Sequence, residues 1–593
     1  MSEKTPNGKV MGLDWRWWWL IAWGGFAVWL LIYKWGAIHW FALPDTDDNM
    51  RISQVRALLR GQDWYDLRQY KLNPPVGFNM HWSRLVDLPI AGLILAAKPF
   101  VGGAMAEKFA VSVAPLLPIG PALYALMLIA RRLIDRNAWL VAIAVLACAQ
   151  VTLNMWAPLR IDHHGWQLAF LLWVVAGSAD RDRLRGGVTT GLATALSLVI
   201  GLEMLPYLAL AGVMTVLAWV RSEAAAPRLR GYGAALAGGC AIGYALFASY
   251  DNRTDVCDVL SPVYLSTMLT AGGIGVLLSM FTLRTWPMRL SAAAAAGLML
   301  AVAFVLIWPE CLGRPERISP ELEQLWFQYI NEAKPMWSHG YKRFVPVLAI
   351  AVMGTIGSLL ALWYNRRDER VMAWATATAL SLASTGLLFW QTRAGAAAQM
   401  LAVPGAAWLG WQTMRFTANH RLMPVRIFGT LGAFLAVTGL AASMTIQLVP
   451  EKVQNKSRKQ VSKANRKCPT MPALAPIARM PAATILTFVD LGPRLITVTH
   501  HMAIAGPYHR NGDAILDVQH SFRSENPQVA HDVMVRHGAT LLLLCPGLSE
   551  STIYASQAPK GFYKQLIAGK VPAWLQPVPL PKDSPFLLWR KVA

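Results

Sequence analysis

Asp45, Asp47 and Asp48 crowd into the segment Pro44-Asp45-Thr46-Asp47-Asp48-Asn49-Met50-Arg51, just after the first long apolar run. Carboxylates packed this tightly at a membrane boundary are costly without a positive partner. Hard divalent cations favour such oxygen ligands, and a cation held there can neutralise the phosphate of a leaving group. The same residues can also simply cap the following helix, because Asp is a preferred N-cap. A second cluster, Arg160-Ile161-Asp162-His163-His164-Gly165-Trp166-Gln167, offers a carboxylate and two imidazoles between two later apolar runs. These groups suit a Mn²⁺ or Mg²⁺ site or a proton shuttle, whereas a lone His at a helix end is usually structural.

Whether the two clusters meet depends on the elements between them. Hydrophobic residues make up 55% of the 593 residues and charged residues only 15%, against about 25% charged in soluble proteins. Apolar runs near the ~20-residue spanning length predict a polytopic helical membrane protein of about thirteen transmembrane helices. They fall at 17–36, 107–131, 138–156, 165–180, 187–203, 205–221, 231–249, 263–283, 287–307, 344–364, 371–390, 396–413 and 426–448. The stretch 85–103, interrupted by Pro89, Pro99 and Gly102-Gly103, reads as an interfacial helix. The first run follows a basic N-terminus and lacks a small-residue cleavage site, so it reads as an uncleaved membrane helix.

The formal net charge of +22 sits largely in short loops between alternate helices, such as Arg131-Arg132 with Arg136, or Arg366-Arg367 with Arg370. The positive-inside rule puts those loops in the cytoplasm, which accounts for the charge without a nucleic-acid partner. The expected setting is a bacterial inner membrane, N-terminus cytoplasmic and C-terminus periplasmic. The segments 37–106, 308–343 and 449–593 then face the periplasm, with both clusters on that side. The basic run from Glu451 to Lys467 opposes this orientation, although long segments translocate largely regardless of charge. The division expected is a transmembrane catalytic domain over 1–448 and a periplasmic domain over 449–593. Strand-like runs at 484–489, 495–499 and 540–544, with a helical stretch at 527–537, predict that the latter is a small α/β unit. Cys257, Cys311, Cys468 and Cys545 fall on the periplasmic side, where disulfides persist; Cys257–Cys311 is the favoured pair, and Cys468–Cys545 stays open.

In this order of motifs the chain resembles the catalytic subunits of oligosaccharyltransferases, within the C-type (GT-C) glycosyltransferases. The resemblance runs along nearly the whole chain, on short and degenerate motifs. It implies thirteen helices, a divalent metal and a lipid-linked sugar donor. Asp45 and Asp47 match the first acidic motif, with Asp47 binding metal and contacting the acceptor, and Asp162 and His164 match the second metal motif. His81 and Arg84 lie where the family has a Tyr-Pro-Leu-Gly-Arg-like loop. Glu332, in Asn331-Glu332-Ala333-Lys334-Pro335, takes the place of the glutamate in a mobile external loop. Arg393 stands where the family places a cation on the lipid phosphate. Tyr508, His509 and Arg510 occupy the place of an Asp-Asn-Asn-Thr-like turn, as a fold support or as a substrate contact. Phe488-Val489-Asp490-Leu491-Gly492 replaces the family's Trp-Trp-Asp-Tyr-Gly, and the absent tryptophans weigh against a protein acceptor.

The chemistry implied is displacement at the anomeric carbon of a sugar carried on polyprenyl (pyro)phosphate. A metal on Asp47, Asp162 and His164 would stabilise the leaving phosphate, and Arg393 would bind two of its oxygens. Asp45 or Asp47 would orient or deprotonate the nucleophile of a glycan, lipid or protein acceptor. The alternatives are a protein oligosaccharyltransferase and a non-enzymatic glycolipid transporter or flippase. No internal repeat is evident, and the carboxylates sit at helix ends, unlike the broken midplane helices of many transporters.

Overall fold

The computed structural model describes residues 9–10, 13–450 and 456–592. Each of the thirteen apolar stretches carries helix, beginning with Trp15–Tyr33. Four helices are long and apolar enough to cross a membrane: Gly103–Leu133, Pro262–Met280, Trp286–Ile307 and Tyr341–Tyr364. The first of these contains a short turn at Ala114–Leu116, where Pro115 and Pro118 interrupt regular hydrogen bonding. Trp286–Ile307 leaves its apolar side chains open, with only Arg289 buried, as a lipid-facing helix does.

Two stretches differ from expectation. The helix Arg84–Val101 runs through Pro89 and Pro99 without breaking, launched by Ser83 Oγ accepting the Leu85 N–H at 3.2 Å. The stretch 426–448 is instead two helical pieces bent by 82°. The bend follows from Gly439, whose φ of +70° ends one piece and starts Leu440–Leu448.

Helices pack tightly where side chains vanish. Tyr341–Tyr364 crosses Gly395–Ala418 at Gly354 and Gly405, where a Cβ on Gly405 would collide with the Gly354 carbonyl oxygen. Such small-residue crossings replace the hydrophobic drive that lipid does not supply.

The C-terminal region builds a five-stranded sheet in the order Met502–Ala503, Thr484–Leu486, Ala539–Leu544, Leu587–Lys591, Leu575–Pro577. The first three strands are parallel and the last two pairings antiparallel. The expected strand at 495–499 is instead the helix Gly492–Val498. Pro493 at its first turn favours helix, and Thr497 Oγ1 donates back to the Pro493 carbonyl at 2.8 Å.

The sheet does not stand apart from the first long loop. Ala503 donates to the Lys71 carbonyl at 3.0 Å and Asn73 to the Ile504 carbonyl at 2.9 Å, so the loop covers the sheet edge. Met50, Phe78 and Trp82 from that loop share one hydrophobic core with Leu486, Phe488 and Phe522. The favoured disulfide Cys257–Cys311 forms with Cα atoms 5.3 Å apart, and the pair left open, Cys468–Cys545, forms as well at 6.4 Å.

Candidate active site

Asp45 caps the helix Thr46–Leu59, its Oδ1 accepting the Thr46 N–H at 2.6 Å. The capping role and the cluster role therefore coexist, and the cap fixes where Asp47 and Asp48 emerge in the first turn. Facing them is Arg160, which the sequence motif contained but to which no role was given. Its Nη1 lies 2.6 Å from Asp45 Oδ2 and 3.6 Å from Asp48 Oδ2, and its Nη2 lies 2.7 Å from Asp162 Oδ2. The Asp162 backbone also donates to Asp48 Oδ1 at 3.1 Å. The two sequence clusters thus meet on one guanidinium.

The charges do not balance there. Burial and the neighbouring Asp45 and Asp162 push the Asp47 carboxyl well above the usual carboxylate range, and Glu332 adds to this. Burial would raise Asp162 as well, but Arg160 and His164 hold it at about 2. Asp48 Oδ2 is buried with only Arg160 at 3.6 Å to face it. An oxygen-rich set with more carboxylates than the one guanidinium can neutralise fits a hard divalent cation. His164 donates its backbone N–H to Asp162 Oδ1 at 3.0 Å, which sets its ring beside that carboxylate.

The adjacent His163 is tied differently. Arg51 Nη2 donates to His163 Nδ1 at 3.4 Å, leaving Nε2–H to donate to Glu203 Oε1 at 2.8 Å. Gln167 Nε2 holds the other Glu203 oxygen at 2.7 Å. Glu203 carries no motif, yet an isolated acid at the end of an apolar run is a signal that sequence reasoning missed.

A second wall is formed by His81, Asp258, His509 and Arg510. Asp258 Oδ2 sits 2.6 Å from His509 Nε2 and 2.8 Å from Arg510 Nε, and the rings of His81 and His509 are 4.7 Å apart. One ligand atom each from His81, Asp258 and His509 lies within 4.8 Å of the others, which Asp47, Asp162 and His164 do not achieve among the described residues. Asp258, absent from the expected site, lies next to the disulfide-bonded Cys257.

Two residues expected at substrate are enclosed instead. Arg84 is fully buried, paired with Asp87 at 3.3 Å and donating to the Asp66 carbonyl at 2.7 Å, so it knits its own loop together. Tyr508 is 3% exposed and donates its hydroxyl to the Thr46 carbonyl at 2.9 Å, which buttresses the acidic helix. Arg393 is exposed, with Glu316 3.5 Å away. The Glu332 loop is pinned beside it, because Thr392 donates both its N–H and its Oγ1 to the Lys334 carbonyl at 2.8 Å.

Asp490 faces open space at the turn preceding Gly492–Val498. Beneath it, Glu550 accepts the N–H groups of Val489 and Asp490 at 3.0 and 2.8 Å and the Tyr554 hydroxyl.

Archaeal oligosaccharyltransferase AglB from Archaeoglobus fulgidus, in complex with an inhibitory peptide and a dolichol-phosphate, aligns with 95% of this chain and 73% of its own. The TM-score is 0.67 at 14% identity. The chain shares the fold of this archaeal oligosaccharyltransferase. The apo enzyme of the same organism gives 0.63 at 16% identity, over 89% of this chain and 69% of that one. The form tethered to an acceptor peptide containing the NVT sequon gives 0.63 at 14%, over 97% and 74%. No sequence-family description matches the chain, and no curated protein matches it by sequence. Within this fold Asp47 feels the charges of Asp45, Asp162 and Glu332, and Asp490 feels that of Asp45, so distant stretches of sequence converge on the acidic cluster.

Proposed function

We propose that the chain is a membrane glycosyltransferase that moves a sugar or glycan from a polyprenyl-(pyro)phosphate carrier to a cell-envelope acceptor on the periplasmic face. The observation that carries this reading is the surplus of carboxylates round Arg160, held at the mouth of a GT-C fold. It accords with AglB, whose complex contains a dolichol-phosphate.

In this reading the acceptor's O–H or N–H attacks the anomeric carbon. Its proton passes to Asp47, and the bond from that carbon to the phosphate oxygen breaks. Asp45 is less suited as base, because Thr46 and Arg160 occupy both of its oxygens, whereas the Asp47 carboxylate accepts no hydrogen bond from the described residues. Asp45 and Arg160 then fix the helix start that aims Asp47. A divalent cation, Mn²⁺ or Mg²⁺, held by Asp47, Asp162 and His164 would supply Lewis-acid stabilisation of the departing phosphate. Arg393 offers that phosphate a planar fork of donors. His81 and His509 form the other wall, where Arg510 is spent on Asp258, Asn79 and Asn252 and so positions His509 rather than binding substrate itself. Closure of the Glu332 loop over the site would exclude water.

Mass spectrometry of lipids co-purified with the protein tests this first. A polyprenyl-linked sugar bound to wild type and depleted in Arg393→Ala is expected; ordinary phospholipids alone in both would sink the donor assignment. With the donor identified, Asp47→Asn should lower transfer by at least ~100-fold while leaving the melting temperature within a few degrees. An acceptor peptide bearing a sequon serves as the control for a protein acceptor and is expected to stay unmodified.

A further inference from the structure

The helix Lys456–Lys467, Lys-Ser-Arg-Lys-Gln-Val-Ser-Lys-Ala-Asn-Arg-Lys, contains no acidic residue. Its two faces differ sharply. Val461, Ala464 and Cys468 fall at helical spacing on one face, where Ala464 packs on the C-terminal core and Cys468 is fully buried in its disulfide to Cys545. Asn465 further fastens the helix, accepting the Ser549 N–H at 3.0 Å. Lys459, Lys463 and Arg466 recur at i, i+4 and i+7 on the opposite face, and all are exposed. Arg458, Lys459 and Lys463 have no acidic partner among the described residues, so this face is a fixed, uncompensated positive surface.

Its place in the chain says what it meets. The last apolar helix ends at Leu448, and Tyr341 donates its hydroxyl to the Pro450 carbonyl at 2.7 Å. Pro450 therefore sits against the start of the spanning helix Tyr341–Tyr364, at a membrane boundary. From there the chain can travel at most about 20 Å before Lys456. Lys342 and the exposed Arg343 add positive charge at the same boundary, with Lys342 Nζ donating to the Gln447 carbonyl at 3.3 Å.

We infer that the basic face of Lys456–Lys467 docks on anionic phospholipid headgroups, so that the disulfide-anchored helix rests the C-terminal domain on the membrane surface. Basic helices beside a membrane span gain attraction from anionic lipid that decays within a Debye length. The inference does not depend on the glycosyltransferase reading or on which side of the membrane the domain occupies.

The test uses full-length protein in nanodiscs, with a fluorophore on Ser462→Cys and the free Cys148 and Cys240 replaced by alanine. Quenching by headgroup spin-labelled lipid should rise about threefold when phosphatidylglycerol replaces phosphatidylcholine. The rise should vanish in Lys459→Glu/Lys463→Glu and in ~0.5 M salt, where the Debye length shrinks to about 4 Å. Ser462 lies on the edge of the basic face and the two lysines are exposed, so these variants should retain the wild-type melting temperature; that is measured alongside. Quenching indifferent to anionic lipid, or unchanged by charge reversal, overturns the proposal. So does protection of the label by a soluble acidic polysaccharide without any lipid dependence, which would assign the face to a glycan.

Discussion

At the scale of single residues, the acidic helix start is governed by how many charges one guanidinium can satisfy. Arg160 meets Asp45 and Asp162 closely and Asp48 at longer range, which leaves Asp47 to an added cation or to a proton. Glu550 poses a related problem away from the cluster. Burial and the Asp490 charge push its carboxyl up to about 8 from an ordinary 4.5, although two N–H groups and the Tyr554 hydroxyl pull the other way. A raised carboxyl favours the folded state in its protonated form. The stability from Glu550 is therefore fully present below pH 4.5 and lost as the pH rises through about 8. The melting temperature should fall over that window, and Glu550→Gln should flatten the fall even if it lowers the starting value. A wild-type melting temperature that stays level from pH 5 to 8 would show Glu550 to be ionised throughout.

At the scale of elements, glycines decide which helices touch. Gly405 stands against the backbone of Gly354 and of Ser358. Gly405→Leu cannot be absorbed by a rotamer change, because the obstruction is main chain. It should cost several kcal/mol, of the order of severe overpacking or more, and appear as aggregation on size-exclusion chromatography. Gly24 and Gly25, in the first helix, meet nothing within 4 Å of an added Cβ, so Gly25→Ala should be tolerated in the same assay. The bend at Gly439 is equally local: its positive φ and the contact of its added Cβ with the Ala349–Ile350 backbone both select glycine.

At the scale of the whole molecule, the C-terminal sheet region is fastened to the loops between the apolar helices by polar clips as well as by the shared core. Asp258, in the loop before Pro262–Met280, takes His509 and both nitrogens of the Arg510 fork. Arg510 also donates to Asn79 and Asn252 at 2.7 Å, so one residue ties three segments. Both partners of the ion pair are about nine-tenths buried. Asp258→Ala would leave a buried guanidinium unpaired, at a cost of roughly 3–5 kcal/mol. Limited proteolysis should then cut between the membrane part and the domain sooner than in wild type; an unchanged digestion pattern would show that the shared core suffices alone.

The sequence by itself determined the helical runs and their approximate bounds, because lipid permits only one backbone solution for a long apolar stretch. It also determined that Asp45, Asp47 and Asp162 are expensive residues in need of partners. The helical nature of 492–498 was hidden because Leu495-Ile496-Thr497-Val498 has strong strand propensity, and the Thr497 hydroxyl bond back to the Pro493 carbonyl favours helix only once the chain is folded. Nor could the sequence assign Arg160, Glu203 and Asp258 their roles, since each acts on residues far away in the chain. A guanidinium between three carboxylates is a fact of distance, and distances between loops are set by which helices pack side by side. Tertiary structure likewise turned Arg84 and Tyr508 from expected substrate contacts into supports: burial consumes their hydrogen-bonding groups before any ligand can reach them.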